Sequence, residues 1–244
     1  MNVRASNQSY SSQQQPKTLE HEVKYVFSNL RVTPVLQWLQ HICRIDPEFP
    51  HNIVASIYYD TKDWRFLQEK INSDYLKTKL RVRWYREPDD RISPGTAFIE
   101  LKSKVGAPRT KFRMKAPYSS QWFSEIPLEN QQLLEIPQLL QSHGVFLEDQ
   151  VFPAFIVQYE RYRFIEGISG ARVCVDCNIS APKVNRYMLP EPNPMPIQTA
   201  VLEIKGHLEC LPNVLSQLTA FGCRKSSFSK YLACYQEIRR VAYV

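Results

Sequence analysis

A chain of 244 residues, 43% of them hydrophobic, with 31 basic against 24 acidic side chains, can bury a core and carries a net charge of +7. That composition excludes a wholly disordered chain, and the length fits one large domain or two small ones. No stretch approaches the roughly 18 apolar residues of a membrane span. With only 7 glycines there is neither a Gly-x-x-x-x-Gly-Lys-Ser/Thr loop nor a Gly-x-Gly-x-x-Gly turn, so any phosphate must be bound by side chains.

Met1 to Pro16 is rich in Ser and Gln and lacks the apolar core of a secretory signal. Residues 1–17 read as a disordered lead-in and 18–244 as one domain. The first strand is expected over Glu20 to Val26, with Glu20, Glu22 and Lys24 on one face. Thr33-Pro34 predicts a helix start, Thr as N-cap and Pro in the first turn, followed by Val35, Leu36, Leu39 and Ile42 at helical spacing. A strand over 53–59 follows. Then come three charged, alternating segments: Lys79, Arg81, Arg83 in 79–84; Glu100, Lys102, Lys104 in 98–104; and Lys111, Arg113, Lys115 in 111–115. Glu129 to Ser142 predicts a helix stopped near Gly144. Arg161 and Arg163 alternate with Tyr162 and Phe164, and in 171–176 Arg172 and Asp176 share a face. Five prolines between Pro182 and Pro196 predict an exposed loop. Glu203 and Lys205 alternate with Leu202 and Ile204 in the last strand; helices are expected from Leu211-Pro212 to Gly222 and from Ser227 to Arg240.

The sum is about eight strands with short connections, a mainly antiparallel sheet or barrel with added helices. Side chains of one strand face recur every ~6.6 Å, so each charged set lies on one side and Leu, Val, Ile, Phe and Met on the other. Alternating charge on one strand is ordinarily a solvated face. Here Lys and Arg dominate set after set, with acids recurring at Glu20, Glu22, Glu100, Asp176 and Glu203. Many cations beside a few carboxylates fit a metal-bound polyanion: the cations pair phosphate oxygens and the carboxylates hold Mg²⁺ or Mn²⁺. Lys230, in the first turn of the helix expected from Ser227, opposes the helix dipole, which a bound anion would relieve. Cys174 and Cys177 form a C-x-x-C with no second pair at zinc spacing. Reduced thiols in a cytoplasmic protein are the simpler expectation.

Glu20-His21-Glu22-Val23-Lys24-Tyr25, Ser56-Ile57-Tyr58-Tyr59-Asp60-Thr61, Lys79-Leu80-Arg81-Val82-Arg83, Phe98-Ile99-Glu100-Leu101-Lys102, Val201-Leu202-Glu203-Ile204-Lys205 and Phe228-Ser229-Lys230-Tyr231 stand in an order that resembles the VTC domain of polyphosphate polymerases, within the triphosphate tunnel metalloenzyme (CYTH-like) superfamily. The resemblance covers about residues 18–242. It implies an α+β fold, an antiparallel eight-stranded β-barrel tunnel with helices packed outside, binding ATP and inorganic polyphosphate with Mn²⁺ or Mg²⁺. It implies phosphate contacts from Lys24, Lys79, Arg81, Arg83, Lys102, Lys111, Arg113, Arg161, Arg172, Lys205, Ser229 and Lys230. Lys24, Arg81, Arg83 and Lys230 would be closest to the chemistry, with Glu203, Glu22, Glu20 and Glu100 toward the metal. Eukaryotic polymerases of this type often lose the first-strand acids. Their retention here keeps a tripolyphosphatase or nucleoside triphosphatase in view, beside a non-catalytic polyanion-binding module. No nucleic acid is expected, because no long basic run exists and Trp84 falls on the core side. A separate membrane partner is compatible with the absence of a span.

Overall fold

The computed structural model describes residues 21–241 apart from 73–75, 89–94, 107–108 and 208–210. The 1–17 lead-in and Glu20 therefore lie outside the described residues. The strands are β1 (His21–Ser28), β2 (Cys43–Ile45), β3 (His51–Asp60), β4 (Leu76–Arg86), β5 (Thr96–Val105), β6 (Arg109–Ser119), β7 (Phe152–Glu166), β8 (Arg172–Val184), β9 (Thr199–Gly206) and β10 (Arg224–Lys225). The α-helices are α1 (Val32–Ile42), α2 (Arg65–Ile71), α3 (Ser120–Glu125), α4 (Glu135–Ser142) and α5 (Lys230–Val241).

All eight expected strands form, and two short ones, β2 and β10, join them. The sheet is antiparallel, in the order β10-β1-β9-β8-β7-β3-β4-β5-β6, with β2 on β7. The expected eight-stranded closed barrel is corrected: the sheet has ten strands, and among the described residues no ladder joins its two ends. The sheet nevertheless bends its charged face back on itself. Lys205 of β9 repels Lys102 of β5, and Lys102 in turn favours the Glu22 carboxylate of β1, although these strands are far apart in the sheet order.

The opposite face is the apolar one, and helices cover it in two patches. Phe27, Val173, Val175, Leu202 and Ile204 meet Val35 and Leu39 of α1 and Leu215 and Leu218 of the 3-10 helix Asn213–Phe221. Ile57, Leu80, Val82, Trp84 and Ile99 meet Phe123 of α3 and Ile136 and Leu140 of α4. Trp84 is 1% exposed, as its alternation with the cations requires. A third cluster lies on the charged side of the sheet, where Tyr231, Cys234 and Ile238 of α5 pack on Tyr58, Phe155, Val157 and Val201.

Several boundaries differ from expectation. The first helical segment begins with a 3-10 turn capped by Ser28, whose Oγ accepts from Leu30 N at 3.4 Å, so Ser28 takes the capping place expected of Thr33. The second expected helix divides into a 3-10 turn, Gln131–Leu134, and α4. The proline-rich loop starts later, because β8 runs to Val184, and Leu189 within it is buried. Gly222 closes the 3-10 helix at φ 74°, where a side chain would meet the Arg31 guanidinium at 2.5 Å. The last helix begins at Lys230, with the preceding Ser229 as its cap: Ser229 Oγ accepts from Leu232 N at 3.4 Å.

Candidate phosphate-binding site

Register builds the first half of the site. Opposite residues in an antiparallel pair place their side chains together on one face. Glu22 faces Lys205 and Lys24 faces Glu203 across β1–β9, while Arg161 faces Asp176 across β7–β8. The result is a network of alternating sign. Lys24 Nζ lies 3.4 Å from both Glu22 and Glu203. Lys205 Nζ lies 3.7 Å from Glu22 and 3.5 Å from Glu203. The Arg161 guanidinium binds Asp176 with two bonds, 2.5 and 2.6 Å, and reaches Glu203 at 3.2 Å.

Lys230 completes this network from α5. Its Nζ sits 2.6 Å from Asp176 and 3.1 Å from Glu203, and Asp176 is fully buried. The anion expected at this helix start is thus supplied by the chain itself. Burial alone would raise the Glu203 carboxyl, but Lys230, Arg161, Lys24 and Lys205 together hold it far below the ordinary range. Asp176 is likewise lowered, Arg161 and Lys230 outweighing its burial.

The second half of the site is built on β4, β5 and β6, and its charges do not balance. Lys79, Lys102 and Lys111 stand directly opposite one another across three strands, and Lys77 stands opposite Lys104 one step along. Glu100 is the acid within this group: Arg81 Nη2 binds it at 2.6 Å and Arg113 Nε at 3.5 Å. Its carboxyl is pulled down to about 2, burial being outweighed by Arg81 and Arg83. Loss of surrounding water, then Arg81 and Lys111, pushes the Lys102 ammonium down to about 8. Burial lowers Lys79 to about 8 as well.

Tyr58 connects the halves. Its hydroxyl accepts from Arg81 Nη1 at 3.2 Å, Lys79 Nζ lies 4.8 Å from its ring centre, and the ring stacks on Tyr231 at 4.7 Å. Burial opposes its ionisation, yet Lys79, Arg81 and Arg83 outweigh that and bring the phenol down to about 6. Tyr231 also stacks on Phe155 at 4.8 Å and donates to Asp60 Oδ2 at 2.7 Å. Asp60 accepts from the Phe66 and Leu67 amides at the start of α2. The aromatic stack therefore fixes α5 and α2 over the charged face.

Among the expected site residues, Lys24, Lys205, Arg161, Lys230, Glu22 and Glu203 meet in one network. Lys79, Arg81, Arg83, Lys102, Lys111 and Arg113 share the other half with Glu100. Arg83 Nε donates to Ser56 Oγ at 3.2 Å. Arg172 lies opposite Lys205 and is exposed. Ser229 is engaged in capping α5. Two further residues belong to the site: Asp176, one of the recurring acids of the charged faces, is spent on Arg161 and Lys230, and Tyr58, which stands in a quoted motif, holds Arg81.

Among the described residues no group of three or more His, Cys, Asp or Glu could hold a metal ion. Glu22 and Glu203, bridged by two shared lysines, make a pair, and Glu100 is kept apart by its arginines. Mg²⁺ and Mn²⁺ keep waters and phosphate oxygens and need one or two carboxylates from a protein, so the pair fits a metal that arrives with a phosphate ligand. Cys174 lies beside Arg161 and Glu203 on the charged face while Cys177 packs in the apolar cluster, so the C-x-x-C does not converge. The five described cysteines are free and buried. No described helix is long and apolar enough to cross a membrane.

A family profile described as the VTC domain matches residues 19–239. No curated protein matches the sequence. Solved structures similar to the chain include a candidate adenylate cyclase from Bacillus halodurans, 16% identical, covering 86% of this chain and 94% of that one at a TM-score of 0.49. Another, from Vibrio parahaemolyticus and described in the same terms, is 13% identical, covering 91% and 97% at 0.47. The Schizosaccharomyces pombe Mediator head module gives 15% identity, covering 84% of this chain and 96% of that one, at 0.43.

Proposed function

The chain belongs to the VTC domain family, and from that premise we propose that it is an ATP-dependent polyphosphate polymerase acting in the cytoplasm. The observation that carries this reading is the uncompensated cation surface of β4, β5 and β6 facing a half that holds carboxylates. A linear polyanion neutralises the first, and a phosphate-bound divalent metal suits the second. The bent charged face serves as the tunnel of the family.

The terminal phosphate oxygen of a growing chain attacks the γ-phosphorus of ATP. The new P–O bond forms as the bond to the β-phosphate oxygen breaks, and ADP leaves with that electron pair. The acceptor oxygen is already anionic, so no general base is needed. Such transfer depends on alignment and charge neutralisation. Arg81 and Arg83 hold phosphate oxygens with fixed donor geometry, Tyr58 positions Arg81, and Lys79, Lys102 and Lys111 align the chain. Glu22 and Glu203 would hold Mg²⁺ or Mn²⁺, which would supply Lewis-acid neutralisation of phosphate charge. The buried cations Lys230 and Arg161, held in place by Asp176, keep Glu203 ionised.

One feature favours a second reading, hydrolysis of triphosphates. Glu22 keeps 35% of its side chain exposed and faces the same site, where it could orient water. Incubation of the purified chain with ATP and Mn²⁺ separates the two. A polyphosphate ladder with ADP supports the polymerase, free phosphate without a ladder supports the hydrolase, and neither product overturns both.

A further inference from the structure

Between the two helix-covered patches of the apolar face lies a strip that register builds from polar residues. Ile53 stands opposite Glu160 across β3–β7, and Gln158 stands opposite Ser180 across β7–β8. A cavity of about 360 Å³ opens there, lined among others by these four residues and by Pro194 and Pro196 of the proline-rich loop. It lies on the side of the sheet away from the phosphate-binding residues. Side chains alternate along β7, and the intervening Tyr159 and Arg161 reach Arg83 and Asp176 on the charged face.

Glu160 is the acid of this wall, and among the described residues no lysine or arginine lines it. A carboxylate has about four acceptor positions. Asn178 Nδ2 donates to Glu160 Oε1 at 2.8 Å, the Tyr162 hydroxyl donates to Oε2 at 3.2 Å, and His51 Nε2 lies 3.3 Å from Oε2. One position on Oε1 stays open. Among the described residues the ion-pair contact of Glu160 is His51, and no lysine or arginine neutralises it. Asn178 is fixed in its place. It sits in a β-bulge of β8, takes φ 51°, and exchanges hydrogen bonds with Asn29 at 3.0 and 3.2 Å. Gln158 Oε1 accepts from Arg86 Nη2 at 2.8 Å, which holds that carboxamide. Ser180 is 6% exposed, yet among the described residues its Oγ has no hydrogen-bond partner. A buried hydroxyl left unpaired is costly, and this one borders the cavity.

We propose that this cavity binds a small free amine, a primary ammonium group on a short aliphatic stem. Glu160 is its counter-ion, Ser180 Oγ a second acceptor, and Ile53, Pro194 and Pro196 flank the stem. An ammonium brings donors and no acceptor; the open position of Glu160 and the unpaired Ser180 hydroxyl each take one. Glu160 and Ser180 are diagonal neighbours on one face of the β7–β8 ladder, close enough to share a head group. An anion would meet an unneutralised carboxylate. A quaternary ammonium has no donor and seeks aromatic faces, whereas the ring of Tyr159 turns to the charged side, 5.4 Å from the Arg161 guanidinium. The volume suits a small molecule. This site is independent of the polyphosphate reading, because the sheet separates it from the charged face.

The test is calorimetric titration of the wild-type chain and of Glu160→Gln with pentylamine, and with pentanol as the neutral match of the same stem. The expected result is saturable binding of pentylamine by the wild type, about tenfold or more tighter than pentanol. Glu160→Gln is expected to lose about ten- to hundredfold in pentylamine affinity, as for a hydrogen bond to a charged group. No saturable binding of pentylamine up to about 10 mM overturns the proposal. So does equal pentylamine affinity in variant and wild type, or equal affinity of the wild type for pentylamine and pentanol. Should Glu160→Gln fail to fold, Ser180→Ala decides, because its hydroxyl bonds nothing in the empty protein and its removal spares the fold. A loss of about fivefold in pentylamine affinity there supports the site, and undiminished affinity overturns it.

Discussion

The two halves of the charged face carry the same residue types and use them differently. On β1, β7, β8, β9 and α5 each cation of the network has a carboxylate beside it: Lys230 with Asp176 and Glu203, Arg161 with both, Lys24 with Glu203. On β4, β5 and β6 cations stand opposite cations. The first half is satisfied in the empty protein, so its charges hold the fold together. The second is unsatisfied until an anion arrives, so its charges are held ready for a ligand at some cost to stability. Removing a cation should therefore have opposite effects on the two sides.

The largest effect is expected at Lys230. Lys230→Ala leaves two buried carboxylates short of a partner and detaches the start of α5, a loss of about 3–5 kcal/mol for breaking a buried pair. Denaturant unfolding checks this, and a variant as stable as wild type would show that the network contributes little. Arg81→Ala is expected to lower polyphosphate synthesis by about 10²–10³, the cost of one preorganised donor to transition-state charge. Because Glu100 keeps Arg113, the fold should survive, and comparison of turnover with melting temperature separates the two. Tripolyphosphate at a hundredfold excess over its dissociation constant should stabilise the wild type by about 2.7 kcal/mol, read as a rise in melting temperature.

The pH dependence sharpens the comparison further. Lys79 and Lys102 lose their protons near 8 in the folded chain, whereas unfolded lysines keep theirs to about 10.4. Between about pH 8 and pH 10 the unfolded state thus binds more protons, and these two groups make the empty protein more stable as pH rises. Over the same window the cations needed for phosphate disappear, so tripolyphosphate affinity falls. Tyr58, whose phenol the neighbouring cations hold low in the folded chain, adds to the same stability slope, because the unfolded phenol keeps its proton to about 10. Paired titrations and melts on either side of pH 8 check both signs.

Seven of the eight long strands were legible because a charged face beside an apolar one repeats every second residue; β3 was legible instead as an apolar run from Ile53 to Tyr59. Strand β7 was legible only at Arg161 to Phe164. From Pro153 to Val157 every residue is buried, and a run buried on both faces has no alternation. Helices α2 and α3 have 7 and 6 residues, too few for a helical period to stand out. The cation half could be read strand by strand. The pairing of Lys230 with Asp176 could not, because it depends on α5 folding over the charged face, a placement fixed by Tyr231 stacking between Tyr58 and Phe155.

The most direct measurement is the melting temperature of Lys102→Gln with and without tripolyphosphate. Relief of direct like-charge opposition across strands should stabilise the empty variant by about 0.2–1 kcal/mol, while the rise on adding tripolyphosphate shrinks. A lower melting temperature in the empty variant, with an undiminished response to the ligand, would contradict the assignment of this half to phosphate.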